Sequence, residues 1–415
     1  MRIGFITLGC KLNYAETSTY ERELVKEGFE VVPWSKGADV FIVNTCTVTE
    51  HSDKKSRNII RKLHRQNPDA MIFVTGCSAQ LRREDYEAIE GVRRVFGATE
   101  KSLVVPYILA CVNGGDCCGK GVGTFFPAYS SGERTRSFLK VQDGCDYKCH
   151  YCTVPYARGE SRNIPIADII PQAEAIAAEG IKEIVLTGVN TGDFGKSTGE
   201  TFFDLIRRLN DVEGIERYRI SSIEPNLLTE EMIDWITSGT KFLPHYHIPL
   251  QSGCDTILRE MGRRYDTAAF ADKIRYIREK TEKPGGPKVF FGIDVIVGFP
   301  GETDELFMET YTFLRYVVRP AFIHIFPYSR RAGTPAATRK DQVQDSVKTK
   351  RLQMLEELCE KLHAEFIEAN KGITEKVLFE STDRNGMMEG YTGNYIRVSQ
   401  PFNPEQIGKI VEVTL

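Results

Sequence analysis

Gly144-Cys145-Asp146-Tyr147-Lys148-Cys149-His150-Tyr151-Cys152 is the stretch on which the reading of this chain turns. It follows a candidate strand at 138–141 and a turn at Asp143–Gly144. Three thiols so close together can grip one face of a metal centre and leave a fourth corner open. A structural zinc site asks for four closed protein ligands. His150, adjacent to one cysteine and two before another, is badly placed to reach the metal they hold. An open corner suits an iron–sulfur cube that takes a further ligand at one iron. The position agrees, because a barrel keeps its chemistry in the loops after its strand ends.

Downstream, candidate strands at 183–187, 218–222, 246–249, 290–297 and 322–326 alternate with helical stretches at 166–179, 202–209, 229–237, 268–280 and 303–316. Together with 138–141 they predict a partial (β/α)6 barrel. An amphipathic helix at 348–369 follows, with Leu352, Leu355, Leu358 and Leu362 on one face. From Gly372, short strands at 376–380, 391–393, 395–399 and 410–415 surround turns at Asn385–Gly386 and Asn403–Pro404. They predict a five-stranded small β-barrel, a module that often binds RNA. Its 371–415 stretch has five basic and six acidic residues, which speaks for no strong RNA grip there and keeps a protein substrate open.

Upstream, strands at 2–8, 40–43, 71–75 and 91–96 alternate with helices at 14–27, 53–66 and 100–111, the pattern of an α/β domain with a parallel sheet. The glycine-rich 113–123, containing Cys117 and Cys118, reads as a linker. The expected organisation is therefore an α/β domain at 1–115, the barrel at 131–371 and the small β-barrel at 372–415. Cys10, Cys46 and Cys77 lie 36 and 31 residues apart, too far for a local motif. Yet each occupies the first turn after a strand, and in a parallel sheet those turns gather at one edge. One such cysteine reads as a buried apolar filler. Three in register predict a second three-thiolate centre.

The chain has 415 residues, 11 cysteines and a net charge of −3, so it is no globally basic coat protein. No run of eighteen apolar residues predicts a membrane span, and the N-terminus lacks a signal peptide's apolar core. The expected compartment is the cytoplasm, where structural disulfides are rare and multiple cysteines more often serve metal. Cys111, Cys254 and Cys359 read as fillers; Cys117 and Cys118 receive no role.

Cys145-x-x-x-Cys149-x-Tyr151-Cys152 resembles the signature of the radical S-adenosylmethionine superfamily. With Thr7-Leu8-Gly9-Cys10-Lys11-Leu12-Asn13, Asn44-Thr45-Cys46-Thr47-Val48-Thr49, Thr75-Gly76-Cys77-Ser78-Ala79-Gln80 and Arg158-Gly159-Glu160-Ser161-Arg162, the whole chain resembles the methylthiotransferases. The tail is similar to the TRAM module of RNA-modifying enzymes. The resemblance implies two [4Fe-4S] clusters, on Cys10, Cys46 and Cys77 and on Cys145, Cys149 and Cys152. It implies S-adenosylmethionine at the radical cluster, a low-potential electron donor, and replacement of an inert C–H bond by C–SCH₃. The opening block is most similar to enzymes that modify carbon 2 of N6-threonylcarbamoyladenosine beside the anticodon of tRNA. Sister groups act on isopentenyl-adenosine in tRNA or on an aspartate of a ribosomal protein. A zinc-stabilised RNA-binding protein is the non-enzymatic alternative.

Cofactor contacts are expected from the strand ends: Tyr151 in the cluster loop, Thr187, Gly188 and Asn190 after the second strand, Ser222 and Glu224 after the third, Gln251 after the fourth. Each also reads as an ordinary strand–helix turn. Gly298 to Glu302 ends the fifth strand, and Arg330–Arg331 follows the sixth, where it could meet cofactor, RNA or only solvent. The run Lys54, Lys55, Arg57, Arg61, Lys62 and Arg65 against Asp53 predicts a helix with a basic face, with Ile59, Ile60 and Leu63 buried. A solvated face is the plain reading. Its start just after Cys46 favours contact with the phosphates of a tRNA anticodon stem-loop.

Overall fold

The computed structural model describes residues 1–115, 125–132 and 135–415. β1 (Arg2–Thr7), β2 (Glu30–Val31), β3 (Val40–Thr45), β4 (Met71–Gly76) and β5 (Val92–Val95) form one parallel sheet in the order β2-β1-β3-β4-β5. β3 is central and buried along its whole length, as its run of Val, Phe and Ile demands. The edge strand β2 has two residues, too few to show a period in sequence. The helices Lys11–Lys26 and Glu50–Gln66 begin three residues before the expected positions. In the second, Thr49 accepts from Ser52 N at 3.2 Å and starts the helix early. The predicted linker at 113–123 falls mostly outside the described residues, as do Cys117 and Cys118.

Six parallel strands follow: β6 (Arg136–Lys140), β7 (Glu183–Thr187), β8 (Arg217–Ile220), β9 (His245–Gln251), β10 (Phe290–Val297) and β11 (Phe322–Pro327). Their ladders form two halves, β6-β7-β8 and β9-β10-β11. A bridge between Tyr218 and Phe242 and a bond from Ile223 N to His247 O (3.1 Å) join the halves. Alternate residues such as Ile184, Leu186, Tyr218, Ile220, Ile248 and Ile293 pack outward on the helices. The helix Asp304–Thr312 passes into a π-helical turn, Phe313–Val318, where a single helix was expected through 316. The long closing helix, Asp345–Glu368, buries Arg351 and Cys359 beside Leu355, Leu358 and Leu362, with Leu352 only half-buried. Phe138 and Val185 share a buried cluster with Ala15 and Tyr20, so the N-terminal sheet docks on the barrel's β6–β7 half.

The tail corrects the expected strand count. β12 (Thr374–Arg384), β13 (Met387–Thr392), β14 (Arg397–Pro401) and β15 (Ile410–Thr414) make a four-stranded antiparallel sheet, ordered β14-β13-β12-β15. The long β12 serves both neighbours, its register shifting between Phe379 and Asp383. Its buried core is small (Val377, Phe379 and Met388), and the module leans on the barrel. Arg219, buried among β8 neighbours, donates to Gly393 O and Thr392 O at 2.8 Å each. Tyr395, at φ 65°, seats its ring 4.8 Å from His245.

Candidate active site

Cys10 caps the turn after β1, Cys46 directly follows β3, and Cys77 opens the short helix Cys77–Leu81 after β4. The three converge. They line one cavity of about 430 Å³ together with Cys145, Cys149 and Cys152. Two glycines make the convergence possible. A Cβ on Gly9 (φ 104°) would lie 2.7 Å from Cys46 Cβ, and one on Gly76 (φ 103°) only 2.3 Å from Thr45 O. The outer turns therefore close directly on the middle one. Burial, reinforced by Cys77 and Cys10, pushes the Cys46 thiol up to about 11. Burial likewise takes Cys145 and Cys152 up to about 12. Any metal that binds must displace these protons.

The donor sets distinguish a cluster from a single ion. A structural zinc site closes four protein ligands around the ion, whereas each trio brings three thiols to the cavity. His247, Asp294 and His324 have ligand atoms within 4.8 Å of one another. His150, whose Nδ1 meets Glu260 O at 2.7 Å and whose Nε2 lies beside Gly262, is not among the residues that line the cavity onto which the thiols open. Two open sets of three soft thiols fit iron–sulfur cores that keep one corner for a further ligand.

Each trio also has a sulfur held by a buried arginine. Arg158 Nε donates to Cys77 Sγ at 3.1 Å; its other nitrogens reach Asn13 Oδ1 (2.6 Å), Asp143 Oδ1 (2.9 Å) and Glu16 Oε1 (3.3 Å). Arg263 Nη1 donates to Cys149 Sγ at 3.2 Å and pairs with Glu224. Guanidinium donors favour the thiolate over the thiol. Arg158 belongs to a buried charge network that crosses between sheet and barrel: Glu16 also meets Lys101 at 2.7 Å and Lys140 at 2.8 Å. Burial alone would raise the Glu16 carboxyl, but Lys101, Lys140 and Arg158 outweigh it and hold it far below the usual carboxylate range. Asp143 is lowered likewise by Lys140 and Arg158 against burial. Sequence reasoning missed Glu16, Lys101, Lys140, Asp143, Arg158 and Arg263 as site residues. Lys140, inside the apolar Phe138-Leu139-Lys140-Val141, was the available signal.

Of the expected cofactor contacts, Tyr151, Gly188, Asn190, Ser222, Glu224 and Gln251 line the cavity. Asn190 is 4 % exposed, and neither of its amide atoms has a protein partner. A buried amide left so is suited to a polar ligand. Thr187 is corrected: it lies buried in the β6–β7 ladder beside Lys140, its hydroxyl turned back to Val185 O at 3.3 Å. Behind Asp294, which lines the cavity, His247 Nε2 meets Asp294 Oδ1 at 2.8 Å and the His247 and His324 rings stack at 5.0 Å. Lys11, which opens the helix Lys11–Lys26 beside Cys10, is exposed.

On the helix Glu50–Gln66, Lys54, Lys55, Arg61, Lys62 and Arg65 are exposed as expected. Arg57 is corrected: it is mostly buried and faces Asp85 at 3.8 Å. Ile59 is half-buried, while Asp53 and Ser56 join Ile60 and Leu63 inside. Asp53 is drawn inward by Arg331 (2.7 Å) and Ser78 (2.7 Å), so the helix's outer face loses an acid. That contact also resolves the arginine pair. Arg331 ties the barrel to the N-terminal domain, and Arg330 bonds Ala337 O at 2.6 Å. Cys254 and Cys359 are buried and Cys111 half-buried. No helix among the described residues is long and apolar enough to cross a membrane.

Residues 2–97 match a family model described as uncharacterized protein family UPF0004, and residues 139–314 match that of the radical SAM superfamily. A Bacillus subtilis threonylcarbamoyladenosine tRNA methylthiotransferase is 39 % identical, covering 100 % of this chain and 93 % of its own. The Aquifex aeolicus protein of the same name is 35 % identical, covering 100 % of both. A tRNA-2-methylthio-N(6)-dimethylallyladenosine synthase of Carboxydothermus hydrogenoformans is 33 % identical over 99 % of this chain and 95 % of its own. The fold is similar to a radical S-adenosylmethionine methyltransferase of Kitasatospora setae, solved with cobalamin and a [4Fe-4S] cluster bound (TM-score 0.59, 16 % identity, 81 % of this chain and 77 % of that one).

Proposed function

We propose, from the premise that the chain belongs to the radical S-adenosylmethionine methylthiotransferase family, that it replaces the hydrogen on carbon 2 of N6-threonylcarbamoyladenosine, beside the tRNA anticodon, with a methylthio group. The observation that carries this reading is the single cavity onto which all six cysteines open. [4Fe-4S] clusters held at the two trios, with S-adenosylmethionine, supply the one-electron chemistry and the sulfur that an unactivated aryl C–H bond requires.

The chain's own residues bind and orient. Cys10, Cys46 and Cys77 hold the sulfur-carrying centre; Cys145, Cys149 and Cys152 hold the radical one. Asn190, Ser222 and Gln251 offer polar groups to S-adenosylmethionine, with Gly188 letting it approach the backbone and Tyr151 walling the cluster loop. Glu224, paired with Arg263, sets a balanced charge beside them. Arg158 and Arg263 fix the orientation of one sulfur in each set. Leu12, Val189, Ile296, Phe326 and Tyr328 line the rest and keep water away from reactive carbon. On this reading the protein works in the cytoplasm and takes its electrons from a low-potential donor.

The test is mass spectrometry of tRNA nucleosides from a strain lacking the gene. The 2-methylthio form of threonylcarbamoyladenosine should vanish and return on complementation. Loss of methylthiolated isopentenyl-adenosine instead, or of ribosomal aspartate modification, would overturn the assignment.

The exposed side of the helix Glu50–Gln66 grips phosphates through Lys54, Lys55, Arg61 and Arg65. Changing all four to alanine should flatten the plot of log binding constant against log salt by about 3, since each phosphate contact contributes about 0.7–0.9. An unaltered slope would remove this helix from the interface.

A further inference from the structure

The C-terminal module meets the barrel at the end away from the cavity. Arg136, Glu183, Arg217, His245 and Phe290 are the first residues of β6, β7, β8, β9 and β10, whereas the radical trio follows the end of β6. The module reaches this floor with the turn between β13 and β14. Arg217 donates to Lys376 O at 2.5 Å and to Tyr391 O at 3.3 Å. Asn394 Nδ2 donates to Lys288 O and to Asn370 Oδ1 at 2.9 Å each. Tyr395 Oη accepts from Arg136 Nη1 at 3.0 Å, and the Arg219 guanidinium lies 4.7 Å from its ring centroid. The same ring stands 4.8 Å from His245 and 5.7 Å from Phe290. A bulky residue at a φ of 65° is uncommon and persists only where its surroundings over-determine it. Here the barrel floor supplies those surroundings. From Tyr395 the side chains continue toward the cavity. His245 stacks on Phe290 at 5.0 Å, and its Nδ1 is closed off from solvent. His247, two residues on and on the same side of β9, bonds Asp294 at 2.8 Å, and Asp294 lines the cavity.

We propose that Tyr395 is a stopper in the barrel floor and a positioning residue for methylthio transfer. Its ring holds His245, and through β9 it fixes His247 and the Asp294 carboxylate at the cavity wall. It also closes the lower end of the lumen to water, which the reaction must exclude. The module thus serves the chemistry from the far end of the barrel and not as an RNA grip. Its five basic and six acidic residues over 371–415 agree, since they offer no surplus of positive charge to phosphates. The inference rests on the methylthio-transfer reading above and holds whichever tRNA base is modified.

The experiment gives the holoenzyme tRNA from the strain lacking the gene and counts methylthio nucleoside formed per 5′-deoxyadenosine. In Tyr395→Ala that ratio should fall at least about tenfold, because a small misplacement of reacting groups costs up to about a hundredfold. Tyr395→Phe keeps the ring contacts and loses only the bond from Arg136, so it should stay within about twofold. Both products come from folded protein, so a partly unfolded sample does not move the ratio. Amide hydrogen exchange gives a readout apart from activity: it should quicken over β9 and β10 in Tyr395→Ala and not in Tyr395→Phe. Affinity for tRNA should stay within about twofold in both variants, with no phosphate contact removed. An unmoved ratio in Tyr395→Ala, equal uncoupling in Tyr395→Phe, or faster exchange confined to the module overturns the stopper. Weakened tRNA binding with the ratio intact would make the turn an RNA contact and overturn it as well. Should the unaltered holoenzyme form no methylthio product, the methylthio-transfer reading falls, and exchange over β9 and β10 still decides the stopper.

Discussion

Changing Cys46 to serine should abolish methylthio transfer while reductive cleavage of S-adenosylmethionine continues. Cys46 is the middle member of the N-terminal trio: Gly9 and Gly76 both press against its turn, and its buried thiol has Cys77 and Cys10 as electrostatic neighbours. Serine keeps the volume and removes the soft ligand that an iron–sulfur core needs. Because a ligand set acts as a unit, losing one member should cost nearly as much as losing all three, at least about a thousandfold in transfer. The radical trio sits in the barrel loop after β6 and keeps its own ligands. Quantifying methylthio nucleoside and 5′-deoxyadenosine in the same reaction reads both activities. Retained transfer would show that Cys46 is no ligand. Loss of both would make the trio structural.

Arg158→Leu carries the second large effect. One guanidinium serves Cys77, Asn13, Asp143 and Glu16, all buried, across the junction of sheet and barrel. Removing it leaves two carboxylates with less positive charge in a site closed to water. Breaking a buried pair in this way costs about 3–5 kcal/mol. Lys101 and Lys140 remain to compensate Glu16, which places the expected loss at the lower end, about 3 kcal/mol. Arg158→Lys restores charge but not the fork that reaches sulfur and carboxylate together, so it should recover stability more fully than transfer. Denaturant unfolding of the three proteins measures this. A loss under about 1 kcal/mol for the leucine variant would mean that the network relaxes around the gap.

The cysteines were readable because strand ends are readable. β1, β3 and β4 are short β-branched runs, and a parallel sheet obliges the turns after them to meet. Arg158, Glu16 and Lys101 were not readable. They lie 142 and 85 residues from their partners, and a solitary charged residue in a sequence reads as solvated. Arg57 and Thr187 went astray for a related reason. Helical spacing assigns a face but not the acid, Asp85, that turns one arginine inward. A strand-end position likewise does not say which side of the ladder a hydroxyl takes. The tail was expected as fivefold although only four short runs were visible in it; the structure keeps four strands, of which the long first one pairs with two neighbours.

The contacts of Gly9 and Gly76 with the Thr45–Cys46 segment reach beyond chemistry into inheritance. Any side chain added at either glycine would strike the middle turn, and any enlargement of that turn would strike back at both. Three blocks dispersed along the gene are thereby bound into one unit of variation. A lineage that alters one of them must revise its companions in step.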